Sequence, residues 1–402
     1  MTQDHSAFSY EAMLGEYPDT MVSFGAGSIT ELYCYVLQNR INSAMLFAGG
    51  TSSANRSMGA VQSLFVDNPE FDLRLYAGIP PEPTVEDVRK MRAALEQSKP
   101  EIVIAVGGGS VMDAAKAAYL SMQTESDVNE LFGVNTASTR FPEKEFKRII
   151  CIPTTSGTGS EVTPYSNIVD PESGVKKLIM EKQIIPSHAF VDPVLTHSMP
   201  QDLTVTTALD AFVHCIESVL NYRAENAHPD SVEWGLEGIR LIAQALPVVL
   251  KEPGNYIART KLSAAAVLGG MCIRNRPTSL PHLCSFSFYG KVPHGVAVAA
   301  LLPPFWQYYL ESPEVRDITM KMSGIFSKEP EQTAEEIVKN CADFIAACKG
   351  PAKLSDLGCD RSIIAKVAGD AVQNPMKLQS CPRPVEPANA AEIITVILEK
   401  AW

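Results

Sequence analysis

An Asp-x3-His pair, Asp210 and His214, is followed along the chain by two further histidines, His282 and His294. In Asp210-Ala-Phe-Val-His214 the two ligand-type side chains stand at i and i+4, so a helix projects both from one face, one turn apart. His282 and His294 flank Gly290, and the second lies in Pro293-His294-Gly295, which reads as a short loop-forming stretch. One carboxylate and three imidazoles make a mixed oxygen–nitrogen set suited to a divalent first-row metal with room for a substrate oxygen. No thiolate belongs to the set, which argues against a closed structural zinc site and for catalysis. Asp210 and His214 alone would equally suit a buried hydrogen-bonded pair; the later histidines favour the metal. His5, His188, His197 and His228 have no ligand-type neighbours in the pattern and read as surface or structural.

Two loops carry a second chemistry. Gly107-Gly108-Gly109-Ser110 lies between an apolar run and a helix beginning near Val111. Glycines there let backbone N–H groups approach a pyrophosphate, and the helix N-terminus adds positive potential. The plain alternative is a tight strand-to-helix turn, and the stretch is not a GxGxxG fingerprint. The second loop, Pro153-Thr154-Thr155-Ser156-Gly157-Thr158-Gly159-Ser160-Glu161, is dense in hydroxyls and glycines and suits phosphate, ribose or a carboxamide.

The elements that must position these residues fall into two halves. Ala44–Ala48, Ile102–Val106 and Arg148–Ile152 read as strands, each stopped by Gly or Pro, with a helix from Thr84 to Gln97 capped by Thr84. Such alternation predicts a parallel α/β sheet. Past about Leu195 the strand signals fade, and Thr204–Tyr222, Ser231–Leu250, Tyr256–Met271, Thr333–Cys348 and Ala388–Ala401 read as helices. Asp192-Pro193 marks the expected boundary, giving an α/β nucleotide-binding domain over 1–193 and an all-α metal-binding domain over 194–402.

With 402 residues, 46% hydrophobic and 20% charged, the chain has the composition of an ordinary globular protein. A net charge of −12 argues against nucleic acid as a partner. Met1 to Tyr17 has no apolar core of a secretory signal, no run of about 18 apolar residues reads as a membrane span, and the nine cysteines are scattered without a Cys-x2-Cys pair. A cytoplasmic enzyme with reduced thiols is the expectation.

The motifs together resemble the iron-containing, or group III, alcohol dehydrogenases, from about Phe24 to the C-terminus. The matching segments are Phe24-Gly-Ala-Gly27, Gly107 to Lys116, Pro153 to Thr163, Asp192-Pro193, Asp210 to Glu217 and Pro293-His-Gly295. The resemblance implies an α/β nucleotide-binding domain and an all-helical metal domain with the active site in the cleft between them. It further implies hydride transfer between NAD(P)H and an alcohol/aldehyde pair on Fe2+, or on Zn2+ or Mn2+. Carried over, the metal ligands fall on Asp210, His214, His282 and His294. The cofactor contacts fall on Gly108, Gly109, Ser110, Asp113, Thr154, Thr155 and Thr158, and a family lysine falls on Lys176 with Lys177 as its rival.

This chain departs from the family pattern in two places. Where many members carry a second histidine four residues after the third ligand, it has Phe286, which removes a side-chain proton relay. Where NAD-preferring members often carry an acidic residue after the second strand, it has Gly49-Gly50-Thr51-Ser52-Ser53. The missing carboxylate leaves both NAD(H) and NADP(H) open and favours NADP, with Thr51, Ser52 or Arg56 as contacts for a 2′-phosphate.

Arg274, Arg276 and Lys291 flank His282 and His294 and read either as solvated or salt-bridged surface or as a cationic pocket for an aldehyde with an anionic tail, of the sulfoacetaldehyde or phosphonoacetaldehyde kind. The expected activity is that of an NAD(P)H-dependent aldehyde reductase. The alternatives are a glycerol dehydrogenase-type enzyme of the same fold and a non-catalytic nucleotide- or metal-binding protein. The expected partners are a small aldehyde or alcohol and a second copy of the chain in a dimer, with neither nucleic acid nor membrane.

Overall fold

The apolar runs around Leu46 and Ile104 become neighbouring parallel strands in the structure, a computed structural model that describes residues 10–15, 17–172, 175–329 and 331–402, the side chains of 52–55 excepted. The chain divides into two units, Met1–Met199 and Pro200–Trp402. Asp192-Pro193 lies within the first, where Asp192 caps a 3-10 turn over Pro193–Thr196.

In the first unit a six-stranded sheet runs in the spatial order Met21–Phe24, His188–Val191, Ile150–Pro153, Ile102–Gly107, Ser43–Gly49, Asp72–Ile79, with every pairing parallel. Alternate residues of the central strands face opposite sides. Met45, Phe47, Val103, Ala105 and Cys151 join the core under helices Val85–Ser98 and Gly109–Thr124. Ala44, Leu46, Ile104, Val106, Ile150 and Ile152 join the core under Glu31–Gln38 on the other face. Burial on both faces is what makes these strands read as unbroken apolar runs. Thr84 forms the expected cap, its hydroxyl accepting the Asp87 N–H. A second sheet, Gly133–Val134, Val175–Met180 and Tyr165–Asp170, contains the antiparallel hairpin that follows the hydroxyl-rich loop.

The second unit has helices and no strand among its described residues. Gln201–Leu220, Ser231–Lys251 and Tyr256–Asn275 pack on one another through small residues. A Cβ at Gly235 would meet Val219 Cγ2 at 2.5 Å, one at Gly238 would meet Cys215 Sγ at 2.5 Å, and one at Gly269 would come within 3.3 Å of the Ala211 carbonyl. Gln201–Leu220 is the one described helix long and apolar enough to cross a membrane by length and composition, and 83% of its apolar window is buried inside the fold. It is a core helix.

Pro293-His294-Gly295 corrects one expectation. It opens the helix His294–Tyr309 with Pro293 at the N-cap, rather than forming a loop. Proline suits the start of a helix, where its missing N–H is not needed. Gly295 then lets this helix press on Gln201–Leu220: a Cβ there would lie 1.8 Å from the Thr206 carbonyl oxygen and 3.2 Å from Asp210 Cβ. The obstacle is backbone, so it cannot rotate away. Gly295→Ala is expected to destabilise the Pro200–Trp402 unit by about 1–3 kcal/mol, the usual cost of overpacking; a denaturation midpoint equal to that of the native protein would refute the close approach.

Candidate metal centre and nucleotide loops

Asp210 and His214 share one face of Gln201–Leu220, His282 sits on the short helix Leu280–Ser285, and His294 begins His294–Tyr309. Their side chains converge on one oxygen. Asp210 Oδ1 lies 3.7 Å from His214 Nε2, 3.6 Å from His282 Nε2 and 3.5 Å from His294 Nε2. The ligand atoms of Asp210, His214 and His282 all fall within 4.8 Å of one another. Bonds of 2.0–2.2 Å in a tetrahedral site place neighbouring ligand atoms about 3.3–3.6 Å apart. Asp210 Oδ1 and His282 Nε2 are buried without a hydrogen bond, as is His214 Nδ1. Buried polar atoms are normally paired, and lone-pair atoms this close without a shared proton are what a divalent cation holds together. The residues therefore fit a metal such as iron.

Glu217 completes the arrangement from two turns further along the Asp210 helix. It is fully buried; its Oε2 takes the His282 Nδ1 hydrogen, and its Oε1 accepts from the Ser279 N–H and hydroxyl at 2.8 Å each. The Tyr309 hydroxyl donates to Ser279 Oγ at 3.1 Å and accepts from the Leu280 N–H at 3.1 Å. A carboxylate on the far nitrogen fixes the imidazole tautomer with Nε2 facing the metal. Burial pushes the Asp210 and Glu217 carboxyls up, but the imidazoles around Asp210, and His282 with Ser279 around Glu217, outweigh it and hold both below the usual range. Burial also depresses His214, to about 4. His282 is the exception: Glu217 and Asp210 outweigh burial and raise it to about 9 without a metal.

The side chains of Asp210, His214 and His282 are 6–7% exposed and that of His294 is 32% exposed, so the set opens on the His294 side. The Phe286 ring, 41% exposed, stacks on His294 at 6.0 Å between centroids, and Ser285 Oγ lies 3.3 Å from His294 Nδ1.

In the first unit the two predicted loops come together, because Ile102–Gly107 and Ile150–Pro153 are neighbouring strands and Thr154 N–H donates to the Gly107 carbonyl at 3.0 Å. Gly108 is the N-cap of Gly109–Thr124. A Cβ at Gly108 would meet Thr155 Oγ1 at 3.1 Å and one at Gly109 would meet Thr158 Cγ2 at 2.7 Å, so these glycines admit the second loop. Asp113 lies behind it: Oδ1 accepts from Ser160 Oγ at 2.6 Å and Oδ2 from the Asn167 N–H at 2.9 Å. The Lys116 ammonium donates to the carbonyls of Ser160, Thr163 and Tyr165 and to Ser160 Oγ within 2.6–3.0 Å. Asp113 and Lys116 thus shape the hydroxyl-rich loop from beneath. Ser110 Oγ accepts from the Glu82 N–H, and Glu82 pairs with Lys176 at 2.9 Å. Lys177 points elsewhere, to Asp170 at 2.7 Å. Gly50 and Thr51 follow Ser43–Gly49, and a Cβ at Gly50 would come 3.3 Å from Gly78 Cα. The Ser52 side chain and His5 lie outside the described set.

Comparison with known proteins agrees with this geometry. The family model described as iron-containing alcohol dehydrogenase matches residues 19–193, and that of the family's C-terminal region matches 204–402. Alcohol dehydrogenase 4 of Saccharomyces cerevisiae is 27% identical over 97% of this chain and 99% of its own. Long-chain-alcohol dehydrogenase 1 of Geobacillus thermodenitrificans is 32% identical over 80% of this chain and 81% of its own. Among solved structures, sulfoacetaldehyde reductase from Bifidobacterium kashiwanohense in complex with NAD+ matches with a TM-score of 0.80 at 24% identity, over 95% of this chain and 98% of that one. The chain belongs to the iron-containing alcohol dehydrogenases. It is an alcohol oxidoreductase, and iron and NAD are the family's metal and nucleotide.

Within this alcohol dehydrogenase the three flanking cations have different surroundings. Arg276 ties down the end of Tyr256–Asn275, its Nε donating to Ser231 Oγ at 2.8 Å and Nη1 to the Asn221 carbonyl at 2.9 Å. Lys291 is exposed and Arg274 is half-buried in the last turn of that helix. The cation that faces the buried carboxylate is Lys377, whose ammonium donates to the Thr278 carbonyl at 2.6 Å and Oγ1 at 2.7 Å. Nothing in the local sequence singles Lys377 out, whereas Glu217 stands at i+7 from Asp210, on the same helical face. Glu217→Gln, which keeps the volume and removes the charge, is expected to lower the affinity for iron 10–100-fold while the fold persists; metal titration of the apoprotein would show no change if Glu217 only packed.

Proposed function

We propose that the enzyme reduces a small aldehyde to its alcohol, with Asp210, His214, His282 and His294 as the protein ligands of the metal. The observation that carries this reading is the convergence of three Nε2 atoms on Asp210 Oδ1. Iron there supplies Lewis acidity towards the substrate oxygen, and the nicotinamide supplies hydride. Asp210 contributes the anionic ligand, and Glu217 keeps the His282 lone pair pointed inward. The partly exposed His294 marks the side from which substrate enters. Phe286 walls that side, keeps water from His294 and offers no imidazole for proton relay.

For the nucleotide, Gly108, Gly109 and Ser110 present a helix N-terminus to the pyrophosphate. Thr154, Thr155 and Thr158 face it from the second loop, and Lys176, held near Ser110 by its pairing with Glu82, is the cation nearest these groups along the hairpin. Gly50 and the exposed Thr51 and Arg56 leave room for a 2′-phosphate, so the enzyme accepts NADPH as well as NADH. Chelation is expected to abolish aldehyde reduction with either nucleotide, Fe2+ to restore it, and His294→Ala to abolish both turnover and metal retention. Full turnover by chelated protein, or by His294→Ala with normal metal content, would overturn the ligand assignment.

The substrate class is refined by Lys377. Burial pushes its ammonium down to about 8, with Glu217 opposing the shift, so it is charged at neutral pH beside the carboxylate that orients His282. An aldehyde with a sulfonate, phosphonate or carboxylate tail gains a charge-assisted contact of about 1.5–3 kcal/mol there, or one to two decades in kcat/KM over a neutral analogue. A lysine with a depressed pKa is cationic below that value and neutral above it. The preference is therefore expected at pH 7, to fade as pH rises past about 8, and to disappear in Lys377→Met. Equal kcat/KM for anionic and neutral aldehydes at pH 7 would exclude the anionic tail.

A further inference from the structure

A groove of about 750 Å³ lies in the helical unit between His294–Tyr309, Ala334–Ala347 and Pro387–Lys400. Its volume is that of a small-molecule site, and it belongs to neither the metal cluster nor the nucleotide loops. The floor is apolar: Ala299 and Pro303 from the first helix, Val338 and Ala342 from the second, Ile393 and Val396 from the third. Val396 is 46% exposed on this floor, a β-branched apolar side chain turned to water.

The charges around the floor are unevenly compensated. Along the sides Arg316 pairs with Glu335, Arg383 with Glu311 at 2.6 Å and Lys339 with Asp343 at 2.6 Å. At one end the Leu354 N–H donates to the Ala401 carbonyl at 3.2 Å, which brings the neighbouring residues Lys353 and Lys400 together at the rim. Neither lysine has an acidic partner within ion-pair distance among the described residues, and the one further acid of the lining is Glu392. Counting all lining charges, five cations (Arg316, Lys339, Lys353, Arg383, Lys400) face three anions (Glu311, Glu335, Glu392) in a chain of net charge −12. An apolar trough ending in two lysines matches one ligand chemistry: an unbranched apolar chain with an anionic head.

We propose that this groove is a binding site for an amphiphilic carboxylate, its acyl chain laid over Val338, Ala342, Ile393 and Val396 and its head between Lys353 and Lys400. The site rests on the helical unit alone and is independent of the assigned activity. The test is calorimetric titration of the full chain with laurate, with dodecanol and acetate as the neutral-headed and tail-less controls. Laurate is expected to bind at one per chain, at least tenfold more tightly than dodecanol, and acetate not measurably.

Lys353→Glu with Lys400→Glu should weaken laurate at least tenfold, and Ala342→Trp, which fills the trough from the opposite wall, should abolish it. Circular dichroism identifies any variant that has failed to fold, and the exposed charge pair and the trough-filling substitution are independent of each other. The proposal is overturned if laurate does not bind. Binding at several molecules per chain indifferent to these substitutions, or dodecanol matching laurate, would overturn it as well. Sedimentation of the native protein and Ala342→Trp tests the remaining occupant: loss of a dimer in the variant would make the groove an interface between copies, and the ligand assignment would fall.

Discussion

The helical unit is organised around a single carboxylate oxygen. Asp210 Oδ1 is buried, has no hydrogen bond, and is approached by three imidazole nitrogens from three different helices. Such an atom is costly to bury unless a cation or proton shares it. The helices packed around it come closer than side chains normally allow at two glycines. Gly269 brings Tyr256–Asn275 against Ala211 and His214, and Gly295 brings the His294 helix against Thr206. The small residues of this unit therefore serve the cluster as much as the core.

Charge balance explains the surrounding polar residues. Two carboxylates, Asp210 and Glu217, are buried two turns apart on a single helix. Without a metal, a proton on His282 and the nearby Lys377 ammonium are the positive charges that face them. Asp210 and a deprotonated His282 would help to hold a dication, whose charge would take the place of that proton opposite the two carboxylates. The Ser279 and Tyr309 hydrogen bonds hold Glu217 in place in either state, because they use Oε1 and leave Oε2 to the imidazole. Buried ionic networks are tolerable only when each member has a partner, and here a bound metal would be the last partner.

The sequence revealed what obeys a short-range rule. The i, i+4 spacing of Asp210 and His214, the Thr84 cap and the apolar runs of the three central strands all depend on neighbours in the chain, and all were found where expected. The helix His294–Tyr309 was hidden because Pro293, Pro303 and Pro304 look like breakers, although its residues are among the most buried of the unit. The strand Asp72–Ile79 was missed because it is an edge strand with one pairing partner and mostly exposed side chains, so it has no apolar run to show. Lys377 was beyond reach, since its partner Thr278 lies 99 residues away. Arg276 is near the ligands in sequence, and its guanidinium is committed to Ser231 and Asn221, partners 45 and 55 residues away that no local pattern announces.

The two units solve a similar problem by similar means. In the first, Gly108 and Gly109 leave space that Thr155 and Thr158 occupy, and Lys116 fastens the carbonyl of Ser160 at the loop's end and those of Thr163 and Tyr165 just after it from inside. In the second, Gly295 leaves space that the Thr206 carbonyl occupies, and Glu217 fastens His282 from inside. A chemically active surface is in both cases held by a buried charged residue that need not touch substrate. This division also describes the place of Phe286. The 41%-exposed ring stacks on His294 from the open side and has no hydrogen-bonding group to offer the buried network, so a change there would alter the exposed face of His294 while leaving the Asp210, His282 and Glu217 contacts in place.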